Sequence, residues 1–180
     1  MNNLIEIGNN WKSKADKLIE EKGLINFLSK YGEVKFTGAY SYNLMMHGDV
    51  DISVIRDLEY SAEEVFTIFK DLYFSGKFRS YFIGGDWDDN RKGNIFPNGR
   101  YFGLKEKIDG EKWKFDIWFM TKSEYIKREN TSLINLSDEQ RILILEIKEY
   151  RNKNYFQVTG QEIYDNVLSG KWKNVADIQK

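Results

Sequence analysis

Two runs in the middle of the chain, residues 100–108 and 111–120, alternate apolar or aromatic side chains with polar ones, and only Asp109-Gly110 separates them. A period of two is the spacing of a strand, and Asp-Gly favours a tight turn in which both central residues take positive φ. The segment therefore reads as a β-hairpin with a type I′ turn, whose register follows by counting outward. Ile108 faces Glu111, Lys105 faces Lys114, Gly103 faces Asp116, and Tyr101 faces Trp118. Phe102, Leu104, Phe115, Ile117 and Phe119 then share one face, so that side must be covered. Asp116 lies among Phe115, Ile117 and Trp118, where a lone carboxylate opposes strand propensity and is costly if buried unpaired; it answers to a ligand or partner. Gly103 leaves room beside it for a ligand. Lys105 opposite Lys114 is a like-charged pair, unfavourable unless an anion lies nearby.

The rest of the chain supplies elements to cover that face. Residues 11–31 carry Leu18, Leu24, Ile25, Leu28 and Tyr31 at mostly helical spacing, with Gly32 placed to end the helix. Residues 33–37 read as a strand, 38–46 as a turn into a short helix, and 49–55 as a second strand. Ser61 and Glu64 form a capping-box pattern ahead of Val65, Ile68 and Leu72, so a helix follows and ends near Gly76. A short strand at 81–83 leads into a polar loop, 84–99, long enough to suggest a functional segment. Thr121 with Glu124, Ser137 with Gln140, and Thr159 with Glu162 open three further helices, the second running through Tyr150 and the last ending near Gly170. The order fits an α+β fold, a mixed β-sheet with flanking helices and a short C-terminal helical extension. We expect one domain over residues 1–180, with its core at about 11–120 and the extension at about 121–180.

Composition narrows the chemistry. The 180 residues include 27 basic and 28 acidic side chains, a formal charge of −1, with the two signs interspersed. No broad positive field exists to attract a long polyanion, so nucleic acid is an unlikely partner and a small acceptor is favoured. The absence of cysteine excludes thiol catalysis, disulfides and cysteine zinc sites, and a single histidine, His47, excludes a histidine-rich metal centre. No segment has the length and apolarity of a signal peptide or membrane span, so a cytoplasmic location and no membrane partner are expected.

The strand Asp49-Val50-Asp51-Ile52-Ser53-Val54-Ile55 is the second chemical signal. Alternation sends Val50, Ile52 and Val54 to the core and leaves Asp49 and Asp51 side by side on the other face. Two adjacent carboxylates repel unless a cation lies between them, and a hard divalent ion such as Mg²⁺ prefers carboxylate oxygens. A second pair, Asp86-Trp87-Asp88 with Asn90, sits in the polar loop; Arg91 stands where a calcium loop requires glycine, so that loop reads as solvated surface or a substrate lid. Ser41 and Ser53 lie in no nucleophile elbow, which argues against a serine hydrolase. His47 reads as structural or surface-bound. Tyr101 and Trp118 could stack on a base or an acceptor ring, or serve as ordinary sheet aromatics.

Taken together, Phe36-Thr37-Gly38-Ala39-Tyr40-Ser41, Gly48-Asp49-Val50-Asp51-Ile52 and Phe115-Asp116-Ile117 resemble the DNA polymerase beta-type nucleotidyltransferase superfamily. Small antibiotic nucleotidyltransferases and the minimal nucleotidyltransferases of toxin-antitoxin systems look similar at this level. The resemblance covers residues 34–120 and implies a metal-dependent transfer of a nucleoside monophosphate from a nucleoside triphosphate to a hydroxyl, with pyrophosphate leaving. It implies that Asp49, Asp51 and Asp116 bind Mg²⁺ or Mn²⁺ and act as the catalytic residues, and that a small-molecule or protein hydroxyl is the acceptor. Gly38 would let the backbone approach the phosphates, aided by amides at Ala39 and beyond. Arg91, Lys92, Arg100, Lys105 and Lys114 could include a triphosphate ligand. The superfamily's serine after the glycine is Ala39 in this chain, with Thr37 before it and Ser41 two residues on. That departure gives some support to an alternative, a noncatalytic nucleotide-binding or regulatory protein that keeps the fold, while retention of all three aspartates favours the enzyme.

Overall fold

A computed structural model describes residues 2–84, 96–129 and 131–179. Helix α1, Asn2–Lys22, is followed directly by α2, Leu24–Leu28. Strand β1, Glu33–Thr37, turns through α3, Gly38–Ser41, into β2, Gly48–Arg56. Helix α4, Ala62–Phe74, precedes β3, Ser80–Ile83, and the hairpin of β4, Gly99–Ile108, and β5, Glu111–Thr121. Helices α5, Lys122–Arg128, α6, Asp138–Asn154, and α7, Gly160–Leu168, complete the chain with 3₁₀ turns at Thr131–Leu133 and Val175–Gln179. The fold is α+β, a five-stranded mixed sheet flanked by helices.

Sheet order is β1-β2-β5-β4-β3, with β2 and β5 parallel and the other pairs antiparallel. The hairpin register is the one counted from the turn: Ile108 pairs Glu111, Gly103 pairs Asp116, and Tyr101 pairs Trp118. Asp109 and Gly110 have φ of 51° and 83°, the pair of positive angles that a type I′ turn requires. Parallel pairing of β2 with β5 needs a crossover, which α4, β3 and β4 provide. It brings Asp51 into register with Asp116 and Asp49 into register with Lys114.

One side of the sheet is closed by α1, α2 and α4. Val50, Ile52, Val54, Phe102, Leu104, Phe115, Ile117 and Phe119 are all fully buried there, against Ala15, Leu18, Leu24, Leu28, Val65, Ile68 and Leu72. A second apolar cluster joins α6 and α7 through Ile144, Leu145, Ile147, Ile163 and Val167, with Leu44 from the segment between α3 and β2. Leu44 thereby ties the extension to the start of the carboxylate strand.

Three local expectations need correction. The expected continuous helix over 11–31 begins earlier, because Leu4 and Ile5 pack on the second cluster. It also breaks at Gly23, whose φ of 61° is left-handed. The box at Ser61 forms only by half: Ser61 accepts from the Glu64 amide at 3.1 Å, while the Glu64 carboxylate is drawn away by Arg56 through contacts of 2.6 and 2.7 Å. A bidentate charge-assisted pair outweighs a single cap bond. Helix α6 runs beyond Tyr150 to Asn154, where Tyr155 turns left-handed at φ 57°. The boxes at Ser137 and Thr159 form completely.

Candidate active site

The site stands on the uncovered side of β2 and β5. Strand alternation sends Asp49, Asp51 and Ser53 from β2 to the same face as Lys114, Asp116 and Trp118 from β5. Neighbouring strands lie only about 4.8 Å apart, so Asp51 and Asp116 are immediate neighbours. Gly38 closes in from the β1–α3 turn. Its φ is +63°, and a Cβ built there would fall 2.1 Å from Asp51 Oδ2. Only glycine permits that approach, and it seats the turn against the Asp51 carboxylate.

The electrostatics are strained in a consistent direction. Burial pushes the Asp51 carboxyl up to about 7, with Asp49 and Asp116 adding to the shift and Lys114 and Lys148 opposing it. Asp49 is raised as well, first by burial; Lys114 opposes, and Asp116 adds. Asp49 Oδ1 is buried and has no hydrogen-bond partner among the described residues. An orphaned carboxylate oxygen beside a second carboxylate is the donor set that a hard cation satisfies, so Asp49 and Asp51 fit a divalent ion. Asp116 is differently disposed. Tyr101 Oη donates to its Oδ1 at 2.6 Å, and Lys114 Nζ donates to its Oδ2 at 2.5 Å. Among the described residues, no three acidic or histidine side chains are arranged as a ready cation cage.

Two cavities meet over Asp51. The first, about 320 Å³, is lined by His47, Asp49, Asp51, Lys148, Arg151 and Gly38 among others. The second, about 270 Å³, is lined by Tyr42, Ser53, Trp118, Tyr125, Arg128 and Glu129 among others. Gly38, Asp51, Gln161 and Tyr164 border both. One cavity is basic apart from the carboxylates, and the other is aromatic.

Lys148 and Arg151 come from α6, and Gln161 and Tyr164 from α7, helices whose sequence reads simply as core. Lys148 is 4% exposed; its Nζ donates to Leu44 O at 2.9 Å and to Tyr164 Oη at 2.6 Å. Burial pushes its ammonium down to about 7, helped by Arg151 and opposed by Asp49 and Asp51. The available signal was spacing: Lys148 follows Ile144 by four residues and Leu145 by three, on the buried stripe of an amphipathic helix. A lysine on such a stripe calls for a partner, and only the fold reveals which.

Other expected residues stand apart. Ala39 lines the first cavity, but Ser41 is exposed and borders neither one. Lys105 is also exposed, across from Lys114 and clear of both cavities. The opposed lysines need no external anion, since Lys114 finds its counter-charge in Asp116. Gly103 does not leave open space for a ligand: a Cβ there would meet Tyr101 Oη at 2.7 Å and Phe82 at 3.4 Å. The missing side chain lets Tyr101 lean across to Asp116. Arg100 donates to Tyr60 O at 3.3 Å and borders neither cavity. Asp86, Asp88, Asn90, Arg91 and Lys92 lie outside the described residues.

No family model and no curated protein matches the sequence. Among solved structures, the chain is similar to one described as the structure of a GLD-2/RNP-8 complex. That likeness has a TM-score of 0.45 and 13% identity, covering 91% of this chain and 59% of that chain. A second is a cytoplasmic RNA terminal U-transferase, with a TM-score of 0.43 and 14% identity, covering 88% of this chain and 48% of that chain. This chain therefore spans roughly half to three fifths of the length of the solved chains that it resembles.

Proposed function

We propose that the protein is a metal-dependent nucleotidyltransferase that moves a nucleoside monophosphate from a nucleoside triphosphate to a hydroxyl acceptor. The observation that carries this reading is the set of three carboxylates, Asp49, Asp51 and Asp116, on one face of two adjacent parallel strands, with Asp51 at the junction of a basic and an aromatic cavity, Asp49 lining the first, and Asp116 beside Asp51 but bordering neither cavity. Arg151 supplies positive charge for a triphosphate, the Lys148 amine and the His47 ring line the same cavity as hydrogen-bonding groups, and Gly38 admits its oxygens close to the backbone. Tyr42, Trp118 and Tyr125 offer ring faces for the nucleoside. Divalent cations held by Asp49, Asp51 and Asp116, Mg²⁺ or Mn²⁺, would neutralise charge on the attacking and leaving oxygens. The acceptor oxygen forms its bond to the α-phosphorus as the bond to pyrophosphate breaks, and Asp116 receives the acceptor's proton. Asp49 and Asp51 hold the donor side throughout.

A second reading is favoured by two observations, Ala39 at the turn and the engagement of both Asp116 oxygens: a nucleotide-binding protein without transfer activity. One experiment separates them. Nucleoside triphosphates labelled at the α-phosphate are incubated with the protein, Mg²⁺ and a cell extract, beside Asp51→Asn and a chelator control. Label passing to an acceptor with pyrophosphate release, dependent on metal and on Asp51, supports the enzyme. Nucleotide binding without any labelled product supports the binding protein, equal nucleotide affinity in Mg²⁺ and in chelator removes the metal-dependent enzyme, and no nucleotide binding at all removes both.

A further inference from the structure

Three carboxylates form the site, and among the described residues Asp116 is the one held in an ion pair. Lys114 Nζ lies 2.5 Å from Asp116 Oδ2, and Tyr101 holds the other oxygen, whereas Asp49 Oδ1 is buried and unpartnered. Lys114 and Asp116 are two residues apart on β5 and so leave the same face, with Lys114 in register with Asp49 and Asp116 in register with Asp51. The ammonium is thus set among all three carboxylates. Its side chain is 46% exposed, against 14% for that of Asp116. The carboxylate is fixed by its strand and by Tyr101, while the lysine arm reaches in from solvent and can leave without opening the core. Lys105, its register partner on β4, carries the same charge on the same face and opposes movement toward the outer strand. The favourable exit is toward an anion on the cavity side.

We infer that Lys114 is a resident counter-cation that occupies Asp116 in the nucleotide-free protein and excludes the divalent ion from that carboxylate until a triphosphate draws it away. This rests on the nucleotidyltransferase reading of the site. Its consequence is an order of binding: Asp49 and Asp51 take a metal weakly on their own, and Asp116 joins them only when nucleotide arrives. A site that assembles its third carboxylate only with the donor present limits idle metal binding and ties cation retention to substrate.

The test is a titration of the nucleotide-free full chain with Mn²⁺, following free Mn²⁺ by its paramagnetic resonance signal, for the parent, Lys114→Met, Lys114→Arg and Asp51→Asn. Removing the competing charge should tighten Mn²⁺ binding by about tenfold in Lys114→Met, while Lys114→Arg stays near the parent. With a nonhydrolysable triphosphate analogue present, the gap between the parent and Lys114→Met should close. Unchanged or weaker Mn²⁺ binding by Lys114→Met, in a protein whose binding is lost in Asp51→Asn, overturns this inference and leaves the metal site standing. Mn²⁺ binding that Asp51→Asn does not weaken overturns the inference and the metal site together.

Discussion

The two faces of β2 and β5 are built from alternate residues of the same strands, yet they oppose each other energetically. On the covered face Val50, Ile52, Val54, Phe115, Ile117 and Phe119 are each 0% exposed and contribute the burial that holds the sheet to its helices. On the uncovered face Asp49 and Asp51 sit where burial pushes both carboxyls up, with Asp116 adding to each and Asp49 adding to Asp51. The first face stabilises the fold, and the second spends part of that stability on a carboxylate cluster in which Tyr101 and Lys114 hold Asp116 while Asp49 Oδ1 finds no partner among the described residues. A register slip of one residue would exchange them, placing three carboxylates in the core.

The largest expected effects break this contrast from both sides. Asp51→Asn should lower transfer by about a thousandfold or more, and it should hold or raise the melting temperature of the metal-free protein, because it removes a charge that burial disfavours. Ile117→Ala, on the opposite face of the neighbouring strand, should cost about 2–5 kcal/mol in urea unfolding, with activity following only the folded fraction. If Asp51→Asn unfolds the protein as badly as Ile117→Ala, the uncovered face is structural and the division is wrong.

A smaller effect concerns Lys148, whose folded pKa of about 7 lies below its ordinary value of 10.5. Between those values the unfolded chain holds a proton that the fold does not, so stability should rise with pH through this window and level off below about 7, where both states are protonated. Lys148 faces Arg151 on its own helix, Tyr164 on α7, and the field of Asp49 and Asp51 on β2. Urea unfolding at pH 7.5 and 9.5 should show the parent gaining on the order of 2 kcal/mol relative to Lys148→Met. An equal pH response in the two proteins would mean that the ammonium stays charged when folded.

The smallest effect sharpens the reading of Gly103. Since a side chain there displaces Tyr101 from Asp116, Gly103→Leu should reduce transfer by about tenfold through loss of one hydrogen bond to a charged group, at little cost in melting temperature. Tyr101→Phe should do the same, and the double variant should be no worse than either single one. Additive losses would show that Gly103 serves the ligand directly.

Local chemistry was the legible part. The Asp109-Gly110 turn gave the hairpin register to the residue, Ser137 and Thr159 marked helix starts that form as complete capping boxes, and alternation alone assigned Asp49 and Asp51 to the face opposite Val50 and Ile52. The break at Gly23 and the early start of α1 were less visible, because their causes are a left-handed backbone and contacts of Leu4 and Ile5 with helices far along the chain.

By itself the sequence determined which strands exist, their hairpin register and which side of each strand is charged, since these depend on turn chemistry and on a period of two. Only the tertiary structure decided that β2 lies parallel to β5 with Asp51 beside Asp116, that Asp116 rather than an outside anion answers Lys114, and that Lys148 enters the site from α6 through Leu44 and Tyr164. Each of these joins residues that are adjacent in the pairing or packing of separate elements. A pattern along one strand or helix fixes the direction of its own side chains, but the partner they meet is chosen by how the elements pack.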